Sequence, residues 1–162
     1  MLTKEINCIY YIIVMITNME SIKTTLQEKG IKPTYVRLII LDYLERNRFH
    51  PTAEVIFKAL EKRIPTLSRT SIYNTLNTFK EKGLLNPLFI NSTEVHFDRN
   101  TVPHHHFFCK KCKKIIDLNI ECAYFKEGDV EGHKITELHG YFFGICKDCL
   151  KKGANNGYHN SI

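Results

Sequence analysis

Two Cys-x-x-Cys pairs, Cys109/Cys112 and Cys146/Cys149, and a histidine run, His104-His105-His106, are the residues of this chain best suited to chemistry. Four thiolates brought together from two short knuckles form the donor set of a closed tetrahedral zinc site, because soft sulfur selects zinc or iron–sulfur. The histidines beside the first knuckle suit a harder, more labile metal. In an extended strand residues two apart share a face, so His104 and His106 can converge on one ion. Asp98 and Asp117 lie where they can add oxygen. Two imidazoles with carboxylates suit Fe(II), Mn(II) or Zn(II), and an incomplete shell leaves room for a small molecule. One site would then build the protein and the other would sense. The same residues admit a second class of function: an Fe(II) enzyme of the two-His-one-carboxylate type, using His104, His106 and Asp98 or Asp117. A zinc deaminase fits less well, since its His-x-Glu upstream of the cysteines does not occur in this sequence.

The elements that must position these groups divide the chain in two. A length of 162 residues holds one medium domain or two small ones. Six cysteines arranged around two knuckles favour metal over disulfides, with Cys8 and Cys122 left as free thiols. The net charge of +6 is spread along the chain; it permits nucleic-acid binding without demonstrating it. Residues 1–18 form an extension of doubtful origin. Its apolar run Cys8–Ile16 is too short for a bilayer, which needs ~20 residues, and too poorly flanked for a signal peptide. The expected location is the cytoplasm, with no membrane partner.

Residues 19–98 show helical spacing and then β-prone runs. A helix over Glu20–Lys29 stops at Gly30. Pro33 opens a second helix whose apolar face is Val36, Ile39, Ile40, Tyr43 and Leu44. Thr52 caps a third, burying Ala53, Ile56, Phe57 and Leu60, and Ser68 caps a fourth, with Ile72, Leu76 and Phe79 inward and Gly83 at its end. Leu84–Ile90 and Thr93–Asp98 read as a hairpin turning at Asn91-Ser92. That order is a winged helix-turn-helix, in which the fourth helix enters the major groove. Its outward face carries Arg69, Thr70, Tyr73, Asn74 and Asn77, side chains able to touch base edges, thymine methyls or phosphates.

A hinge at 99–103 leads to residues 104–152, with strands expected at Phe107–Cys109, Ile115–Leu118 and Tyr141–Ile145 and a short helix within Ile120–Val130. The tail, residues 153–162, is expected to be flexible. The whole is α+β: an N-terminal winged helix-turn-helix domain plus a C-terminal zinc-stapled α/β domain, the zinc offsetting a limited core.

The stretch Ser68-Arg-Thr-Ser-Ile-Tyr73-Asn on the fourth helix, His50-Pro-Thr before the third, and His104-x-His106-x2-Cys109-x2-Cys112 with the later Cys146-x2-Cys149 resemble the ferric uptake regulator family over about residues 19–152. The resemblance implies a homodimeric, metal-dependent repressor that binds a double-stranded DNA operator and is not an enzyme. Its C-terminal domain would be the dimerisation domain. The peroxide-regulator branch is the nearer likeness, since its regulatory metal is held by three histidines and two aspartates. That implies His50, Asp98, His104, His106 and Asp117 as ligands of Fe2+ or Mn2+, with Zn2+ on Cys109, Cys112, Cys146 and Cys149. Peroxide would be the signal and the only small molecule acted on, with His50 and His104 the oxidation-sensitive ligands. The alternative within the family is an iron- or other metal-responsive repressor of uptake genes. The family's optional third metal site would fall at Pro103, His105, Tyr124 and Leu138, which lack its ligands. His96, His133, His139 and His159 match no ligand position and read as structural or surface residues.

Overall fold

Thr34, Thr52 and Ser68 each precede a helix in extended backbone and accept a hydrogen bond from the amide three residues on, at Arg37, Val55 and Ser71. These caps set the starts of α2 (Tyr35–Arg46), α3 (Ala53–Leu60) and α4 (Arg69–Glu81). The computed structural model describes residues 16–90, 93–120, 129–135 and 138–154. The expectations for Cys8, Cys122, Tyr124 and His159, for the Asn91-Ser92 turn, for the middle of the 120–130 segment and for the tail beyond residue 154 lie outside them.

The chain divides into two units, Met1–Thr101 and Val102–Ile162. In the first, α1 already runs from residue 16 to residue 28, so residues 16–18 belong to this helix and not to an extension. Asn18 gives the reason: its side-chain amide donates to the buried Asp42 carboxylate at 2.8 Å, tying α1 to α2, and Arg46 donates to the same oxygen. α1 and α4 end alike. Gly30 and Gly83 take up φ of +67° and +65°. The following amides, Ile31 and Leu84, donate back to Leu26 and Phe79 at 2.8 Å, closing a Schellman turn. Pro33 lies before the Thr34 cap and not within the first turn of α2. The core is formed by Ile22, Leu26, Ile39, Ile40, Leu44, Ile56, Leu76 and Phe79, all essentially without solvent contact.

The expected hairpin is present but shorter: β1 (Asn86–Leu88) pairs antiparallel with β2 (His96–Asp98), in the register Asn86↔Asp98. Leu84 cannot extend β1, because its amide is used to close the turn after α4. Pro87 lacks a donor, which suits a two-stranded ribbon with open edges.

The second unit is a three-stranded sheet with β3 (His105–Cys109) in the centre. β4 (Ile115–Leu118) pairs antiparallel on one side and β7 (Tyr141–Gly144) pairs parallel on the other. A small ribbon, β5 (Asp129–Val130) and β6 (His133–Lys134), precedes β7. The end of the expected 120–130 helix is therefore a strand, with the turn at Glu131-Gly132 reversing it in left-handed backbone. α5 (Lys147–Ala154) begins within the second Cys knuckle and includes Gly153 and Ala154, so helix continues past the expected start of the flexible tail. No helix of the described residues is long and apolar enough to cross a membrane.

Candidate metal centres and recognition helix

The parallel pairing of β3 with β7 brings the two knuckles together: Cys109 aligns with Gly144, two residues before Cys146. One Sγ from each of Cys109, Cys112, Cys146 and Cys149 lies within 4.8 Å of the others. Cys109, Cys146 and Cys149 are buried with Phe107 and Ile116 against them. This is the donor set and spacing of a closed four-thiolate zinc site, and the residues fit that ion. The local electrostatics are uneven. Backbone N–H groups, first that of Cys112 and after it that of Cys146 among others, point at the Cys109 sulfur and lower its thiol to about 6. Burial pushes the Cys149 thiol up to about 12, with the neighbouring sulfurs adding to it. In the metal-free protein Cys109 thus ionises more readily than Cys149.

Strand alternation divides the histidine run as expected. His104 and His106 share one side, with ring centroids 4.4 Å apart. His106 lies opposite Asp117 in the β3–β4 register. Asp117 Oδ1 stands 3.5 Å from His104 Nε2 and 3.8 Å from His106 Nε2. His104 Nδ1 faces the Val102 carbonyl at 2.7 Å, which leaves Nε2 as the ligand atom turned toward Asp117. Two imidazoles and one carboxylate within reach of a single ion, with His106 buried, fit a first-row divalent metal.

The first unit holds the other two implied ligands. His50 is 3% exposed and its Nε2 lies 3.7 Å from Asp98 Oδ1, itself buried at the end of β2. His50 adopts φ +56°, a left-handed backbone that few residues other than glycine take up. Neighbouring contacts hold it there. The His50 carbonyl meets His96 Nδ1 at 2.7 Å, Thr52 bridges to His96, and the Phe97 amide donates to the Pro51 carbonyl. Strain of this kind persists where the surroundings over-determine a conformation, and it clusters at functional positions. His96, read from sequence as merely structural or surface, supports His50 directly. No spacing signal could have revealed this, because the two residues meet only through the hairpin. Gly140 was also missed. A side chain there would run into the ring of His105, which is buried on the sheet face opposite His104 and His106 and packs edge-on to Phe142.

On α4 the expected outward residues Thr70, Tyr73, Asn74 and Asn77 are exposed, while Ile72, Leu76 and Phe79 are buried. Arg69 differs from them. Its guanidinium makes two parallel 2.9 Å bonds to the Glu54 carboxylate of α3 and lies 4.2 Å over the Phe57 ring. The Arg69 pair is the first cause holding the Glu54 carboxyl below its usual range.

The profile of the Ferric uptake regulator family matches residues 28–139. The Bacillus subtilis (strain 168) peroxide operon regulator is 36% identical over 131 residues, 79% of this chain and 90% of that protein. A peroxide-responsive repressor of Staphylococcus aureus (strain Mu50) is 35% identical over 136 residues, covering 79% of this chain and 88% of its own. Among solved structures, that of the Francisella tularensis ferric uptake regulator with iron has a TM-score of 0.61 at 24% identity, covering 75% of this chain and 96% of that one. The last likeness concerns the fold alone.

Proposed function

This chain belongs to the ferric uptake regulator family, a family of metal-dependent transcriptional regulators and not of enzymes, and from that premise we propose that it is a cytoplasmic, homodimeric, peroxide-responsive DNA-binding repressor. The observation that carries the reading is the donor set: His50 with Asp98 in the first unit, and His104 and His106 with Asp117 in the second, an all-aspartate carboxylate complement. Four cysteines would hold a structural Zn2+, and the three histidines with Asp117 an Fe2+ or Mn2+, Asp98 beside His50 being the further carboxylate that the family resemblance implies.

The division of ligands supplies the mechanism. A ligand shell completed only when both units contribute favours one relative orientation of helix-turn-helix and dimerisation domain. In a homodimer that would place two copies of α4 at a fixed half-site spacing. DNA and metal then favour the same state, so each must tighten the other's binding by the same factor. Thr70, Tyr73, Asn74 and Asn77 would read the major groove, with Asn74 and Asn77 suited to adenine edges. Bound ferrous iron supplies the one-electron chemistry that activates peroxide beside the imidazoles. His50 and His104 are the residues that would take up one oxygen atom as 2-oxo-histidine, lose ligand strength and release the operator.

Anaerobic Fe2+-loaded protein exposed to micromolar peroxide should show one added oxygen in a peptide containing His50 or His104, together with loss of operator binding. Unchanged peptide mass with DNA binding intact would replace this reading with an iron-responsive repressor. Mn2+-loaded protein should bind DNA and resist the same treatment.

A further inference from the structure

The two Cys knuckles are also the most basic part of the second unit. Residues 109–114 and 146–152 contain seven of the nine lysines found after Thr101, against one carboxylate, Asp148. All seven are exposed. Among the described residues none of them pairs with a carboxylate. They surround one point, because the four sulfurs that the knuckles present lie within 4.8 Å of one another. A divalent ion held by four thiolates carries a formal charge of about −2, so a loaded site still leaves roughly four positive charges at this surface.

Lys113 adds an independent observation. It occupies left-handed backbone, φ +62°, in the turn that the Lys113 amide closes on the Cys109 carbonyl at 2.8 Å. Glycine takes that conformation without the strain a Cβ incurs. A lysine there, its Nζ 5.9 Å over the Phe108 ring, keeps a charge at a position where the backbone favours no side chain.

The elements expected to enter the groove are poor in cations. α4 contains only Arg69, bound to Glu54, and Lys80, and residues 84–98 contain none. Yet affinity for a duplex rests largely on phosphate neutralisation.

We infer that the lysine-rich knuckle surface, formed by Lys110, Lys111, Lys113 and Lys114 with Lys151 and Lys152, is a second, sequence-independent contact for the phosphate backbone of double-stranded DNA. It rests on the repressor reading for its choice of polyanion. It would engage flanking or neighbouring duplex while α4 engages the operator. The contact is electrostatic and independent of the regulatory metal, since neither His104 nor His106 takes part.

The test uses full-length, zinc- and manganese-loaded protein and a duplex without operator sequence, with affinity measured by fluorescence anisotropy across a salt series. Replacing Lys110, Lys111, Lys151 and Lys152 together by Gln should make the slope of log K against log salt shallower by about 2–4 per protomer, at roughly 0.9 for each phosphate no longer neutralised. Zinc content reports whether the fold is kept. Lys113→Gly should keep or raise thermal stability and still make the slope shallower by about 1, which separates charge from folding. An unchanged slope in both variants overturns the inference and leaves the lysines as a solvated shell around the thiolates. Equal competition by polyglutamate of matched charge also overturns it, in favour of an acidic protein partner. Failure of the repressor reading has a different signature: no metal-dependent operator binding by the wild-type chain, with the lysine-dependent slope intact.

Discussion

Gly140 offers the sharpest test of how the sheet positions His104 and His106. A Cβ added there would meet Nδ1 of His105 and stand 2.9 Å from its Cε1, inside any real van der Waals contact. The ring cannot simply turn away, because His105 is 6% exposed and packs 5.9 Å from Phe142. Overpacking of this kind costs about 1–3 kcal/mol. For a unit of this size that is roughly 4–20 °C in the melting midpoint. The strain would reach the proposed metal site as well: the Gly140 carbonyl accepts from the His106 amide at 3.0 Å, so displacing it moves the strand that carries His106. Gly140→Ala should lower the melting temperature of the zinc-loaded second unit and weaken Mn2+ binding roughly 10-fold, as the loss of outer-shell support does. Zinc stoichiometry should be retained. Calorimetry and a fluorescent-chelator competition measure the two effects. His105→Ala combined with Gly140→Ala should recover part of the loss, because the overlap is removed. A single Gly140→Ala variant that melts within about 1 °C of wild type, with no coupling to His105→Ala, would refute the steric argument.

Three further outcomes are expected. Strong chelation of zinc, or Cys146→Ser, should abolish the cooperative melting of the second unit while leaving most helical circular dichroism, because α1–α4 lie in the first unit; a full loss of helix signal would contradict the two-unit organisation. In metal-free protein the Cys109 thiol, lowered to about 6, contributes stability that is complete above its unfolded value of 9.0 and is lost as pH falls through 6. Cys149, raised to about 12, acts in the opposite sense above 9.0, so metal-free stability should rise between pH 6 and 9 and fall beyond it. A single thiolate step near pH 9 in ultraviolet absorbance would contradict this. Glu54→Gln should free Arg69 and steepen the salt dependence of DNA binding by about 1, whereas an unchanged slope with weaker binding would mean that Arg69 sets the angle between α3 and α4 instead.

Local rules were enough to read most of the first unit. The caps at Thr52 and Ser68, the glycines at 30 and 83 and the inward faces of α3 and α4 follow from short-range hydrogen bonding and helical period, and all are found. The extent of α1 escaped this reading, because Asn18 is held by Asp42, 24 residues away. Strand β5 at the end of the 120–130 segment escaped it too, since a two-residue ribbon has almost no periodicity.

The sequence by itself determined which donors exist: four thiolates in two knuckles, a His-x-His pair, and aspartates near them. Ligand type and i, i+2 spacing are local properties, legible without a fold. What only the tertiary structure decided is which of those groups meet and in what state. The parallel register of β3 with β7 joins the knuckles, and the hairpin return of β2 sets His96 against His50. Glu54 of α3 pairs with Arg69 at the start of the outward face of α4. Each depends on chain segments far apart in sequence, whose meeting is fixed by burial and strand register and not by any neighbour-to-neighbour preference.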